Sequence, residues 1–525
     1  MTLREALPAA LLLLALASPQ GADAAGLTES QGRGKRIYLE GKGRDPIRAA
    51  LVGPGLKARG SGFPCVNCHR PDGKGIREGG VTSADITWFH LTKETTGPRT
   101  SGRVHVPYTG DALRNAVTGG RDPAGRELNG AHPRFDISPR DLDDLVAYLR
   151  ILGNEPVPGV GDAEIRVGTL LPRNGPMAEA AREVASFLAA YFDGLSARGG
   201  IFARAVRFVP SWYDASRPGT AAEAARGIAA GDDVFCLLAC AGVSAEDEAW
   251  GVLGRAGVPV VAPLIVPPES GHWIDRNTFY VYGSFRDQAR VLVDYLADDL
   301  RAGKGKVAVV AAAGKASTGA SEGAVEQAAR RAVPVAATET YVPGAFDPEA
   351  SVARLRGKGV DAVLFFGPGE DAGEFLRSAA RAGWHPHFLT SAAMAGQTMA
   401  SLGGNLSGKV ALASPVASPD RGSREFADFE DAVAKTPGSG RHRSFQATAF
   451  AGAKLLEKGL SQAGRAATRG AFVSELGKLF AFRTGVTPPL SFHENRRVGA
   501  IGAMVLRIDP AGRGFIPAGG WREPK

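Results

Sequence analysis

The sequence predicts a multidomain chain with two folds in tandem: a small, loop-rich, all-α domain over residues 27–153, then a two-lobed α/β domain over 164–525. Three observations carry this. From residue 164 onward, short apolar runs alternate with amphipathic helical stretches, the pattern of parallel sheets covered by helices. Before residue 154 that alternation is missing; two helical stretches bracket long Gly- and Pro-rich loops. Between the two lies Gly153-Asn154-Glu155-Pro156-Val157-Pro158-Gly159-Val160-Gly161, and residues 154–163 read as a linker.

In the first domain, Glu29 to Lys42 carries a helical pattern with Ile37, Tyr38 and Leu39 and ends at Gly41 and Gly43. A second helix opens at Ser138-Pro139-Arg140-Asp141, with Ser138 as N-cap, Pro139 in the first turn and Asp141 as the capping acid. Leu142, Leu145, Val146 and Leu149 form its apolar face, and Gly153 stops it. In the second domain the expected strands are 165–171, 206–210, 234–239, 258–262, 306–312 and 361–366, with helices at 178–198, 220–230, 286–301, 321–331 and 371–382.

The chain ends and the bulk composition narrow the class. Arg4, the apolar stretch Leu7 to Ala17 and Ala22-Asp23-Ala24 predict a signal peptide over 1–24. The apolar run is shorter than the roughly 20 residues a membrane span needs, so no direct membrane insertion is expected. The expected location is the periplasm. A net charge of +8 over 525 residues, with no basic tract, gives no nucleic-acid partner. Four cysteines are too few for a disulfide scaffold. Cys236 and Cys240 lie about 13 Å apart if the run is one strand, so buried free thiols are expected.

The most specific signal is Cys65-Val66-Asn67-Cys68-His69, the C-x-x-C-H attachment pattern of one covalent heme c. Two thiols add to the porphyrin vinyl groups, and the adjacent His69 is placed under the iron as an axial ligand. Half of a zinc site would need two further ligands at suitable spacing. A thioredoxin-like pair belongs at a strand-to-helix turn, whereas here the loop Pro71-Asp72-Gly73-Lys74-Gly75 follows.

With its two helices, this motif and the closing Ala147-Tyr148-Leu149, the first domain resembles a class I cytochrome c. Such cytochromes place a methionine, often followed by proline, before the last helix. Here that stretch is Leu128-Asn129-Gly130-Ala131-His132-Pro133, and no methionine lies between Met1 and Met177. His132 is therefore the expected second metal ligand, giving bis-histidine ligation and a lowered reduction potential. His90 and His105 do not match the family position, and a five-coordinate iron with a surface His132 is the competing reading.

Residues 164–510 resemble type I periplasmic solute-binding proteins of the branched-chain amino-acid class. The cues, in order, are Asn174-Gly175-Pro176, Arg198-Gly199-Gly200-Ile201, Ala256-Gly257-Val258-Pro259-Val260, Phe285-Arg286-Asp287-Gln288 and Leu490-Ser491-Phe492-His493-Glu494-Asn495. The resemblance implies two lobes with a solute held at the strand ends. That nominates the loops carrying Asn174, Gly175, Ser244, Tyr280, Tyr282 and Glu370 as ligand-binding. Pro263-Leu264-Ile265-Val266 has no hydroxyl for a carboxylate, which leans towards a smaller or more apolar solute. Glu370 and Asp371 also fit as helix N-terminal acids.

Gly319-Ala320-Ser321-Glu322-Gly323 matches G-x-S-x-G, but Gly314 to Thr318 separate it from the strand, so no catalytic residue is assigned and the chain is not expected to be an enzyme. The expected function is a periplasmic c-type cytochrome exchanging single electrons with a redox partner, for which a periplasmic dehydrogenase fits, while the second domain binds a small solute or docks that partner. The alternatives are a solute-binding protein delivering to a membrane permease with an accessory haem, and a ligand-gated haem redox sensor.

Overall fold

The computed structural model describes residues 27–51, 55–78, 81–93, 106–231, 233–242, 247–268, 276–300, 305–401, 409–416, 421–436, 438, 440–509 and 514–525. The expected signal peptide, His105 and Ser244 lie outside them. The chain divides into two compact units between Pro156 and Val157. Val157 and Val160 pack on the core of the second unit, so the latter half of the expected linker is folded into it.

The first unit is built on helices Glu29–Glu40 and Pro139–Leu149. Thr28 and Gln31 close a capping box on the first, and the Ser138 hydroxyl caps the second. The two helices cross at Gly34, where a Cβ would lie 1.9 Å from the Asp144 carbonyl oxygen. Asp144 accepts from Ser30 Oγ at 2.6 Å and Arg33 Nε at 2.7 Å, which ties the crossing together. Asp141 does not close a capping box; its carboxylate accepts the backbone N–H groups of Arg44 and Asp45 and pins the loop after the first helix.

The all-α expectation is corrected for this unit. Arg48–Ala50 pairs antiparallel with both Lys57–Arg59 and Arg134–Asp136, and Arg77–Glu78 pairs with Val81–Thr82. These strands are two or three residues long. Such pieces are too short to carry a readable alternation, and pairing with a partner strand, not propensity, creates them.

The second unit holds two sheets. One has six parallel strands in the order Val498–Ala500, Thr278–Tyr282, Val260–Val261, Cys236–Leu238, Glu164–Pro172, Ala205–Tyr213. The other has seven, in the order Val335–Tyr341, Lys306–Ala312, Val360–Phe366, His387–Ser391, Val410–Ser414, Ala503–Ile508, Phe515–Arg522; Ala503–Ile508 runs antiparallel to both of its neighbours. The chain passes between the sheets at 283–284 and 501–502. Helix Arg443–Ala463, buried over much of its length, packs on the first sheet, and Phe285–Asp298 on the second.

Cys236 and Cys240 are free and fully buried, in core clusters on opposite faces of the first sheet. Ser321 lies inside helix Lys315–Arg330, not on a strand-to-helix turn, so its G-x-S-x-G context has no elbow.

Candidate functional site

The C-x-x-C-H residues form a single helical turn, Val66–His69, with Cys65 at its start. Cys65 is half-buried and packs with Val66 on the core of Ile37, Tyr38, Leu145, Tyr148 and Leu152; Cys68 is exposed. Burial pushes the Cys65 thiol up to about 12. The turn is held from both sides. Tyr38 Oη donates to the Arg70 carbonyl at 2.6 Å, and the Gly75 N–H donates to the His69 carbonyl at 3.0 Å. Gly75 has φ +77°, and a Cβ there would meet the Ser83 oxygen at 2.1 Å, so this return loop requires glycine.

His69 Nδ1 lies 2.9 Å from the Ala84 carbonyl oxygen. That contact makes Nδ1 the donor and leaves Nε2 with a free lone pair, the arrangement of an imidazole ready to ligate a metal. Burial lowers the His69 pKa, opposed by the Ala84 carbonyl and the Asp85 charge. His132 sits in a turn closed by its own N–H to the Asn129 carbonyl. Its pKa is pushed down to about 4, first by burial, then by repulsion from His69 and Arg134. The two imidazoles, 63 residues apart in sequence, are thus brought within electrostatic reach of one another. Arg134 Nη1 donates to the His132 carbonyl at 2.6 Å and lies 3.4 Å from His132 Nδ1. His90 has Nδ1 3.3 Å from an Asp85 carboxylate oxygen.

Two thiols bracketing one helical turn, an Nδ1-anchored imidazole beside the second thiol and another imidazole nearby fit a covalently held haem. Among the described residues no cluster of three or more His, Cys, Asp or Glu side chains offers a bare metal ion a site. The Ala84 carbonyl, Asp85 and Arg134 were not predicted. No local pattern marks a carbonyl acceptor 15 residues from its histidine; only the adjacency of Arg134 to His132-Pro133 was visible.

In the second unit, strand order reverses beside Glu164–Pro172 in the first sheet and beside Lys306–Ala312 in the second. These switch points direct attention to the loops after residues 172, 238, 312 and 366. Asn174 is in the first of them but is occupied: Nδ2 donates to Asp214 at 2.6 Å, and Oδ1 accepts the Ala215 N–H at 2.8 Å. Gly175, at φ +81°, accepts the Ala178 N–H and leads into helix Ala178–Ala197.

Tyr280-Val281-Tyr282 is not a loop. It belongs to the strand Thr278–Tyr282, with Tyr280 paired to Val498 and buried in the sheet, which corrects the expectation of a binding loop there. Tyr282, at the carboxyl end of that strand, has a buried hydroxyl with Thr448 beside it, and burial raises its pKa. Glu370 is likewise not in a loop: it is exposed in the first turn of helix Gly369–Arg381, and its neighbour Asp371 accepts from Tyr341 Oη at 2.8 Å. The floor at the first switch point is apolar. Leu171, Ala181 and Ala241 are buried there, with Met177, Trp212 and Leu264 packed against them.

Among the described residues no helix is long and apolar enough to cross a membrane. Residues 164–513 match the periplasmic binding protein family, and residues 63–153 match cytochrome c. The Leu/Ile/Val-binding protein homolog 3 of Brucella melitensis is 24% identical over 244 residues, 46% of this chain and 65% of that protein's own length. A putative branched-chain amino acid ABC transporter structure from Silicibacter pomeroyi covers 69% of this chain and 99% of its own, at 15% identity and a TM-score of 0.58. A substrate-binding periplasmic protein from Ralstonia solanacearum covers 67% of this chain and 100% of its own, at 22% identity and a TM-score of 0.52. At these identities the two structures show a shared fold. The chain belongs to the periplasmic binding protein family and carries a cytochrome c domain ahead of its binding fold.

Proposed function

We propose that the chain is an exported one-electron carrier, with one haem held by Cys65 and Cys68 and ligated by His69 and His132. The observation that carries this reading is the C-x-x-C-H turn with His69 Nδ1 anchored on the Ala84 carbonyl and the His132 imidazole within electrostatic reach. The haem supplies the one-electron couple. The chain's own residues orient it: His69 is fixed by Ala84, the Cys65 side is packed on the core, and the Tyr38 hydroxyl locks the turn from behind. Ligation by both His69 and His132 would leave the metal no open position, which would favour outer-sphere electron exchange with a partner such as a periplasmic dehydrogenase over ligand activation.

The test is the visible absorption and EPR spectrum of the haem-loaded protein, wild type against His132→Ala. A low-spin wild type that becomes high-spin in the variant supports the ligation. A wild type that is already high-spin overturns it.

The binding unit is proposed to take a small uncharged or apolar solute at the strand ends. Relatives carry names for branched-chain amino acids. Here, however, the first switch point presents Met177, Ala241 and Leu264, and Asn174 is consumed by Asp214. An apolar floor suits apolar atoms better than a zwitterion.

A further inference from the structure

We propose that Asp85 is a positioning residue that sets the electron affinity of the haem site: its carboxylate, held beside the His69 anchor, lowers the reduction potential. The inference rests on the reading of His69 as axial ligand.

Asp85 directly follows Ala84, whose carbonyl holds His69 Nδ1 at 2.9 Å, so the carboxylate is tethered one residue from the axial imidazole's hydrogen bond. It is fixed in place. Oδ1 accepts the Thr87 N–H at 2.9 Å and the Thr87 hydroxyl at 2.6 Å. Oδ2 lies 3.3 Å from His90 Nδ1, and the Asp85 side chain is only 26% exposed. Among the described residues no lysine or arginine forms an ion pair with it. A clasped, partly buried carboxylate interacts more strongly with nearby charge than one free in water. By Coulomb attraction that carboxylate would stabilise the oxidised, more positive metal centre over the reduced one.

A purely structural role is the competing account: Asp85 supports the turn that leads into the short helix Trp88–Leu91. Charge and turn support can be separated. Asp85→Asn keeps an oxygen for the Thr87 N–H and hydroxyl but removes the charge. Asp85→Glu restores the charge on a longer stem.

The experiment is a spectroelectrochemical redox titration of the full-length, haem-loaded protein. Asp85→Asn is expected to raise the midpoint potential with no change in the absorption spectrum of either oxidation state, and Asp85→Glu to return it towards wild type. Asp85→Ser, which also leaves an oxygen for Thr87, serves if the Asn variant does not accumulate. A neutral variant with the wild-type spectrum and the wild-type potential overturns this inference alone. A wild-type chain that carries no covalent haem overturns the site reading, and this inference with it.

Discussion

In the first unit the chemistry-bearing atoms sit on five consecutive residues, Cys65 to His69, and on one distant loop that brings in His132. In the second, nothing comparable is contiguous. The candidate cleft is assembled from strand ends at residues 172, 238, 312 and 366, and the polar side chains nearby are engaged in holding the loops together. The difference follows from what each site must recognise. A covalently attached group needs reactive atoms at fixed spacing along one turn, so the spacing is written locally. A solute released and rebound needs a shaped surface, and that surface exists only once two sheets are folded.

Removing the local site should have the largest effect. The double variant Cys65→Ala/Cys68→Ala is expected to lose covalent haem completely, read by haem staining after denaturing electrophoresis. Covalent haem surviving in that variant would show that attachment does not depend on this turn, and the contrast between the two units would collapse.

The next test asks how tightly the scaffold behind the local site is specified. Gly34→Ala puts a Cβ 1.9 Å from the Asp144 carbonyl at the helix crossing. It is expected to cost about 3 kcal/mol in the unfolding of the haem unit, followed by loss of the haem absorption band on denaturant titration. A loss below about 1 kcal/mol would mean that the crossing yields easily and that the close approach is not what holds the terminal helices together.

The smallest effect sharpens the other side of the comparison. Asn174→Ala removes hydrogen bonds to Asp214 and Ala215 and is expected to lower the stability of the binding unit by about 1 kcal/mol. Circular dichroism through thermal unfolding reads this. Unchanged stability would mean that these hydrogen bonds contribute little, and Asn174 would return as a solute contact.

The fold of the second unit was legible where strands are long and apolar. Lys306–Ala312 and Glu164–Pro172 are core strands with continuous runs, and such runs read clearly in a sheet covered on both faces. Thr278–Tyr282, His387–Ser391 and Val410–Ser414 were not anticipated. Each is only five residues long, too short for a period to stand out, although Thr278-Phe279-Tyr280-Val281-Tyr282 is made of strand formers throughout. Reading Tyr280 as part of a loop overlooked that run.

Sequence alone determined the C-x-x-C-H spacing, the absence of any methionine between Met1 and Met177, and the parallel α/β class of the second domain. These depend on residue types at short spacing, which the chain states directly. Only the tertiary structure decided that His132 comes within electrostatic reach of His69, that the Ala84 carbonyl orients the His69 ring, that Asn174 is tied to Asp214, and that the first switch point is apolar. Those facts depend on which distant loops meet, and that is fixed by helix crossing and sheet order, not by any pattern readable along one segment.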